Sequence, residues 1–250
     1  MSLDKYKKIE FESNIIGWDF SYLDGKIIEE KTPWDYLATI KKYLKPSMIL
    51  LDMGTADGKK LLSLNHPYKN TYVTEGYYPN YQLCIRNLSP LGINVNFYKD
   101  DTNLPFNHNQ FDIVINRHES YNLKEIKRIL KPNGIFITQQ VGSHNNEPMT
   151  KIITPWINKD YNSFTVKQEL ENFKKQNFEI LEYDSKLLNI TYLTIDAVIF
   201  MCKTIEWEFP GFSSEKSFTG LQQIEHQIKT NGGFNSIEDR FIIVSKNLKR

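Results

Sequence analysis

The residues most able to do chemistry begin at Asp52, which closes the apolar run Met48 to Met53 and opens the turn Met53-Gly54-Thr55-Ala56-Asp57-Gly58. Glycines lacking Cβ let such a turn approach a ligand closely, and the helix expected to follow offers unpaired N–H groups at its start. Glu75 stands twenty-three positions after Asp52, at the end of the next apolar run, where a carboxylate can accept hydrogen bonds from ribose hydroxyls. The turn has two glycines, not the three that make room for a pyrophosphate, and Asp52 and Asp57 would repel a phosphate. A carboxylate at Asp52 would instead orient a cationic amino group. The pattern suits an adenosine-bearing ligand with an amino-acid tail and disfavours a nicotinamide-dependent oxidoreductase.

Further along, Asp100 and Asp101 precede Thr102 and Pro105, and Asn116-Arg117-His118-Glu119-Ser120-Tyr121 follows another apolar run. Near neutral pH His118 could accept a proton, with Glu119 orienting it or binding a cationic substrate. The competing reading makes His118 a neutral packed histidine and pairs Glu119 with Arg117, while Asp100 and Asp101 cap a turn. The five histidines are too scattered to suggest a metal.

These residues need strand tips to hold them. Met48–Met53, Thr71–Glu75, Val95–Lys99, Phe111–Asn116 and Ile135–Val141 read as strands, with helices at Lys59–Leu64, Asn80–Leu88 and Leu123–Leu130 between them. Strand followed by helix, repeated, implies a parallel sheet with helices on both faces. Gly142 to Pro155, rich in Asn, reads as a long loop. A helix at Val166–Phe173, a strand at Phe178–Tyr183, a helix at Thr194–Trp207 (with a strand over the β-branched run Ile195–Ile199 as the alternative), a helix at Phe218–Ile228 and a closing strand at Arg240–Ser245 follow. Residues 1–32 read as an aromatic cap segment.

Taken in order from Pro33 to Val141, the acid-Gly turn, Glu75, the Asp100-Asp101-Thr102…Pro105…Phe111-Asp112 segment and Glu125…Leu130-Lys131-Pro132-Asn133-Gly134 resemble the class I S-adenosylmethionine-dependent methyltransferases of the type 11 kind. Arg240–Ser245 sits where that family places its antiparallel last strand. The resemblance implies a Rossmann-like seven-stranded α/β sheet, mostly parallel, with a methyltransferase domain over 33–250 and an acceptor-side insertion at about 187–233. It implies that Asp52, Gly54, Thr55, Ala56 and Gly58 hold the methionine moiety, Glu75 and Gly76 the ribose, and Asp100, Asp101 and Thr102 the adenine, with Asn116 and Arg117 flooring the site near the sulfonium. Trp18 and Trp34 would pack, or face the sulfonium through cation–π attraction; Trp207 and Phe209 would line the acceptor pocket. Two departures stand out: Ala56-Asp57 replaces a glycine of the turn, and Asn133 replaces the glycine before Gly134. Alanine is small and Asn tolerates turn geometry, so neither forbids binding.

Thirty-one basic against thirty acidic residues leave a net charge of +1, without the excess that tracks a phosphate backbone. The expected acceptor is therefore a small molecule. RNA, particularly guanine, is the alternative, and a non-catalytic S-adenosylmethionine-binding protein is a third reading. Cys84 and Cys202 are too few for a disulfide framework, which with the absence of a charged-then-apolar leader suggests a cytoplasmic protein. The longest apolar stretch, Ile195 to Cys202, is interrupted by Asp196 and too short to span a bilayer.

Overall fold

The computed structural model describes residues 1–13 and 19–248; Trp18, a candidate ligand contact, lies outside the described residues. The elements in order are α1 (Leu3–Glu12), β1 (Ile27–Glu29), α2 (Tyr36–Tyr43), β2 (Leu50–Met53), α3 (Lys59–Leu62), β3 (Thr71–Glu75), α4 (Tyr78–Asn87), β4 (Asn94–Phe97), β5 (Phe111–Arg117), α5 (Leu123–Ile129), β6 (Leu130–Val141), α6 (Glu147–Ile153), α7 (Val166–Lys175), β7 (Phe178–Tyr192), α8 (Ile195–Thr204), α9 (Phe218–Asn231) and β8 (Phe234–Asn247). The strand order is β1-β7-β8-β6-β5-β2-β3-β4. Strands β4, β3, β2, β5 and β6 run parallel, and β8 lies antiparallel on β6. This is the Rossmann-like sheet the sequence predicts, with eight strands in place of seven. The extra strand, β1, pairs antiparallel with residues 190–192 and offers only Ile-Ile-Glu, too short for alternation to reveal.

The chain divides into two compact units, one of residues 33–142, 164–185 and 240–250, the other of residues 1–32, 143–163 and 186–239. In the first unit, successive residues of each central strand enter opposite cores. Leu50, Ile113, Ile115, Ile135, Ile137, Ile242 and Val244 pack with Ile40, Leu61, Val73 and Leu88. Leu51, Met53, Val114, Phe136, Phe241 and Ile243 pack with Ile126, Ile129 and Phe173. Strands buried on both faces read as continuous apolar runs, and a sheet covered by helices on each side follows from them. Pairing of the parallel strands in near register brings their carboxyl ends to one edge of the sheet.

In the second unit α1, α6, α8 and α9 share a core built on Tyr6, Met149, Ile153, Val198, Ile199, Phe200, Phe209, Leu221 and Ile224. Residues 195–199 could have formed a strand by β propensity, but α8 wins. Five of the first six residues of α8, Ile195–Phe200, and also Cys202 are buried, and the Thr194 hydroxyl caps the helix at the Ala197 amide. The segment 142–155 is not wholly a loop, because α6 starts within it. Pro148 lies in the first turn, where its missing N–H costs nothing, so a proline inside the expected loop serves as a helix start.

Candidate active site

The site is assembled from the carboxyl ends of β2 to β6, all in the first unit. Register sets Asp52 beside Val73 and Ile115, and Met53 beside Asn116, which in turn faces Thr138. Asp52 is buried, and Gly54 (φ +68°) and Gly58 (φ +77°) take the left-handed conformation that glycine adopts without penalty. A Cβ at Gly58 would lie 2.7 Å from Leu88 Cδ2, so α3 can begin only where no side chain stands between the turn and α4. Ala56 is also left-handed, at φ +53°, without glycine's freedom. Its amide donates to Glu75 Oε2 at 2.9 Å, and the Tyr77 amide donates to Glu75 Oε1 at 3.1 Å.

Burial pushes the Glu75 carboxyl up from its ordinary value, against the pull of those backbone amides. The Asp52 carboxyl is pushed up to about 7, first by burial and then by the Glu75 charge, with the Thr55 hydroxyl and Arg117 acting in the opposite direction. Beyond β4, the exposed Asp100 uses one oxygen for a local turn: Oδ1 accepts both the Thr102 amide (2.8 Å) and the Thr102 hydroxyl (2.7 Å), and Oδ2 takes no part in that turn. Asp101 Oδ2 accepts the Ser120 hydroxyl at 2.5 Å.

At the β5 tip, Asn116 is fully buried, and its Oδ1 accepts Thr138 Oγ1 (3.0 Å) and Gln140 Nε2 (2.5 Å). His118 stands at φ +58°, with its amide on the Gln139 carbonyl at 2.9 Å. The indole of Trp34, a donor only, donates to Gln139 Oε1 at 2.9 Å. That bond orients the Gln139 amide so that Nε2 donates to His118 Nε2 at 3.3 Å, which places the ring proton on Nδ1. Crowding by protein and the cations Arg117, Arg240 and Lys60 hold the imidazole far below the usual histidine range, even though its ring keeps access to solvent. His118 is therefore neutral, and its Nε2 lone pair is already occupied.

Glu119 takes a different position from the sequence expectation of pairing with Arg117 or orienting His118. Its Oε1 accepts the Tyr98 hydroxyl at 2.9 Å, and burial with the Glu75 and Asp101 charges pushes its carboxyl up to about 7. Tyr98, Thr138, Gln139 and Gln140 join the site unannounced by any motif. The available signal was polar side chains at the ends of otherwise apolar strands.

Residues 51–138 match the family model of a methyltransferase domain. Over that span the chain carries a methyltransferase domain. No curated protein sequence matches. Among solved structures the chain is similar to a candidate methyltransferase from Bacillus halodurans C-125 (TM-score 0.59, 14% identity, 85% of this chain and 99% of that one). It is also similar to the geranyl diphosphate C-methyltransferase of Streptomyces coelicolor A3(2), solved with magnesium, geranyl diphosphate and S-adenosyl-L-homocysteine (TM-score 0.52, 11% identity, 85% and 77%). A functionally unknown protein from Deinococcus radiodurans R1 matches over 98% of this chain and 100% of its own (TM-score 0.56, 14% identity). These likenesses concern the fold.

The methyltransferase domain's residues fit the donor by their own chemistry. Two buried carboxylates flank a left-handed glycine turn, and a third lies beyond the neighbouring strand. The buried Asn80 Nδ2, in the first turn of α4 after Glu75, has no hydrogen-bond partner among the described residues and is a donor that a polar ligand would satisfy. Two expected acceptor contacts fare differently. Phe209 is fully buried in the core of the second unit and cannot line a pocket, whereas Trp207 is 65% exposed. Among the described residues no group of histidine, cysteine and carboxylate side chains could hold a metal, and no helix is long and apolar enough to cross a membrane.

Proposed function

We propose that this methyltransferase transfers the methyl group of S-adenosylmethionine to a small-molecule acceptor. The observation that carries the donor site is the alignment of Asp52, Glu75 and Asp100 at or just beyond the carboxyl ends of three neighbouring parallel strands, β2, β3 and β4. When bound, S-adenosylmethionine supplies a methyl group on a positively charged sulfur. Asp52 and the 54–58 turn hold the amino-acid end. Glu75 orients the ribose: a carboxylate has about four acceptor positions, and the backbone amides around it do not use them all. Asp100 receives the adenine amino group through Oδ2, the oxygen its own turn leaves open, with Asp101 and Thr102 shaping that turn. Gly76 lets the chain pass beside the sugar, and Asn116, locked by Thr138 and Gln140, floors the site with Arg117.

Charge is neutralised as the methyl moves, so alignment and exclusion of water are the main tools. His118 is a structural neutral imidazole in this reading and not the base. Balanced charge supports a small acceptor over RNA, as does the likeness to two structures described as geranyl diphosphate methyltransferases. The test is incubation with labelled donor and cell extract split into metabolite and RNA fractions. Label in the metabolite fraction is expected; label confined to RNA would replace the small acceptor with RNA, and label in neither would leave a binding protein.

A further inference from the structure

Gly54 is a glycine for a reason beyond its positive φ. A Cβ there would lie 2.7 Å from Cβ, Cγ and Oε2 of Glu119, so the Glu119 side chain rests directly on the bare backbone of the turn. Three features hold it there. The left-handed His118 turns the chain back after β5, Gln140 Nε2 fastens the Glu119 carbonyl at 2.9 Å, and the Tyr98 hydroxyl fastens its carboxyl. Tyr98 is only 7% exposed, with its ring edge 3.6 Å from the position of a Cβ on Gly76. The carboxyl of Glu119 faces other carboxyls, those of Glu75 and Asp101, and among the described residues its side-chain hydrogen-bond partner is the phenol. A group crowded by like charge and held by a single hydrogen bond is built to leave when something better arrives.

We propose that Glu119 is the resident occupant of the Gly54 turn, latched there by Tyr98, and that the amino-acid end of the donor binds by displacing it. This rests on the assignment of the turn to the donor's amino-acid end. Donor affinity is then reduced by the fraction of molecules in which the turn is open. Tyr98 is a positioning residue, acting only through Glu119. The ribose and adenine ends lie on Glu75 and Asp100 and do not feel the displacement.

Titration calorimetry on the full chain with S-adenosylhomocysteine, and separately with adenosine, tests this. E119A should bind S-adenosylhomocysteine about tenfold more tightly, ~1.4 kcal/mol, while adenosine, which lacks the amino-acid tail, stays within about twofold. Y98F should tighten S-adenosylhomocysteine in the same direction and add nothing in the E119A background. Weaker S-adenosylhomocysteine binding by E119A would make Glu119 a direct ligand, and an equal change for both ligands would make the effect general loosening; either overturns the proposal while leaving the donor site intact. Failure of every form to bind either ligand would remove the donor site itself and the displacement with it. If E119A does not fold, unchanged or weakened binding by Y98F is sufficient to reject the latch.

Discussion

Glu75 accepts the amide of Ala56 at 2.9 Å, so the carboxylate expected to grip the ribose also pins the one turn residue forced left-handed without being glycine. Binding and backbone geometry are thus joined in one side chain. Removing it by E75A should lower affinity for S-adenosylhomocysteine by about 1.5–3 kcal/mol, with E75Q, which keeps one acceptor oxygen, losing less. Titration calorimetry decides this, and unaltered affinity in E75A would reject the ribose role.

The strain at Ala56 has a measurable counterpart. A left-handed L-residue costs about 1–2 kcal/mol, part of which glycine returns as unfolded-chain entropy, so A56G should raise stability by up to about 1 kcal/mol in urea unfolding. G58A should do the reverse, by about 1–3 kcal/mol, because it adds both left-handed strain and a Cβ 2.7 Å from Leu88. A stabilised G58A would show that the turn is not built as described.

Asp52 links the site to pH. Its unfolded value is near 3.9 and its folded value about 7, so between these the folded chain holds more protons and stability falls as pH rises. His66 and His118, both held low, act in the opposite sense below about pH 6.5. The informative quantity is therefore the difference between wild type and D52N. That difference should move against the wild type by about 2 kcal/mol from pH 5 to pH 8. D52N should stay folded and lose donor affinity; a flat difference would show Asp52 ionised and solvated at neutral pH.

His118 should remain neutral from pH 5.5 to 8. Its ring proton resonances, assigned by their loss in H118Q, should show no titration near 6.5, and H118Q should leave affinity for S-adenosylhomocysteine within about twofold. A titration midpoint near 6.5 would break the Trp34–Gln139–His118 chain of hydrogen bonds inferred from the donor-only indole.

Much of this was readable from one-dimensional pattern. Strands covered on both faces are apolar throughout, and Leu50-Leu51, Ile113-Val114-Ile115 and Ile135-Phe136-Ile137 announce a parallel sheet before any contact is known. The placement of Asp52, Gly54, Gly58 and Glu75 at strand ends and in the following turn was legible because local sequence marks where apolar runs stop. Asn133, standing where the resemblance expects glycine, takes φ +63°, a left-handed conformation that Asn tolerates.

What the pattern could not supply is whatever depends on which atoms meet across the sheet. The three-residue β1 and the Pro-started α6 exist because the rest of the second unit supplies their partners; a strand of three has too few residues to show a period. The fate of Phe209 was open, since an aromatic among prolines and glycines can line a pocket or fill a core, and only packing chooses. His118 and Glu119, adjacent in sequence, part company in space. One gives its lone pair to Gln139 and loses basicity first to crowding by protein and then to surrounding cations, while the other folds back onto Gly54. Residue type and order determined that carboxyls and a glycine turn would gather at the strand tips; three-dimensional contact decided that Glu119 would rest on Gly54.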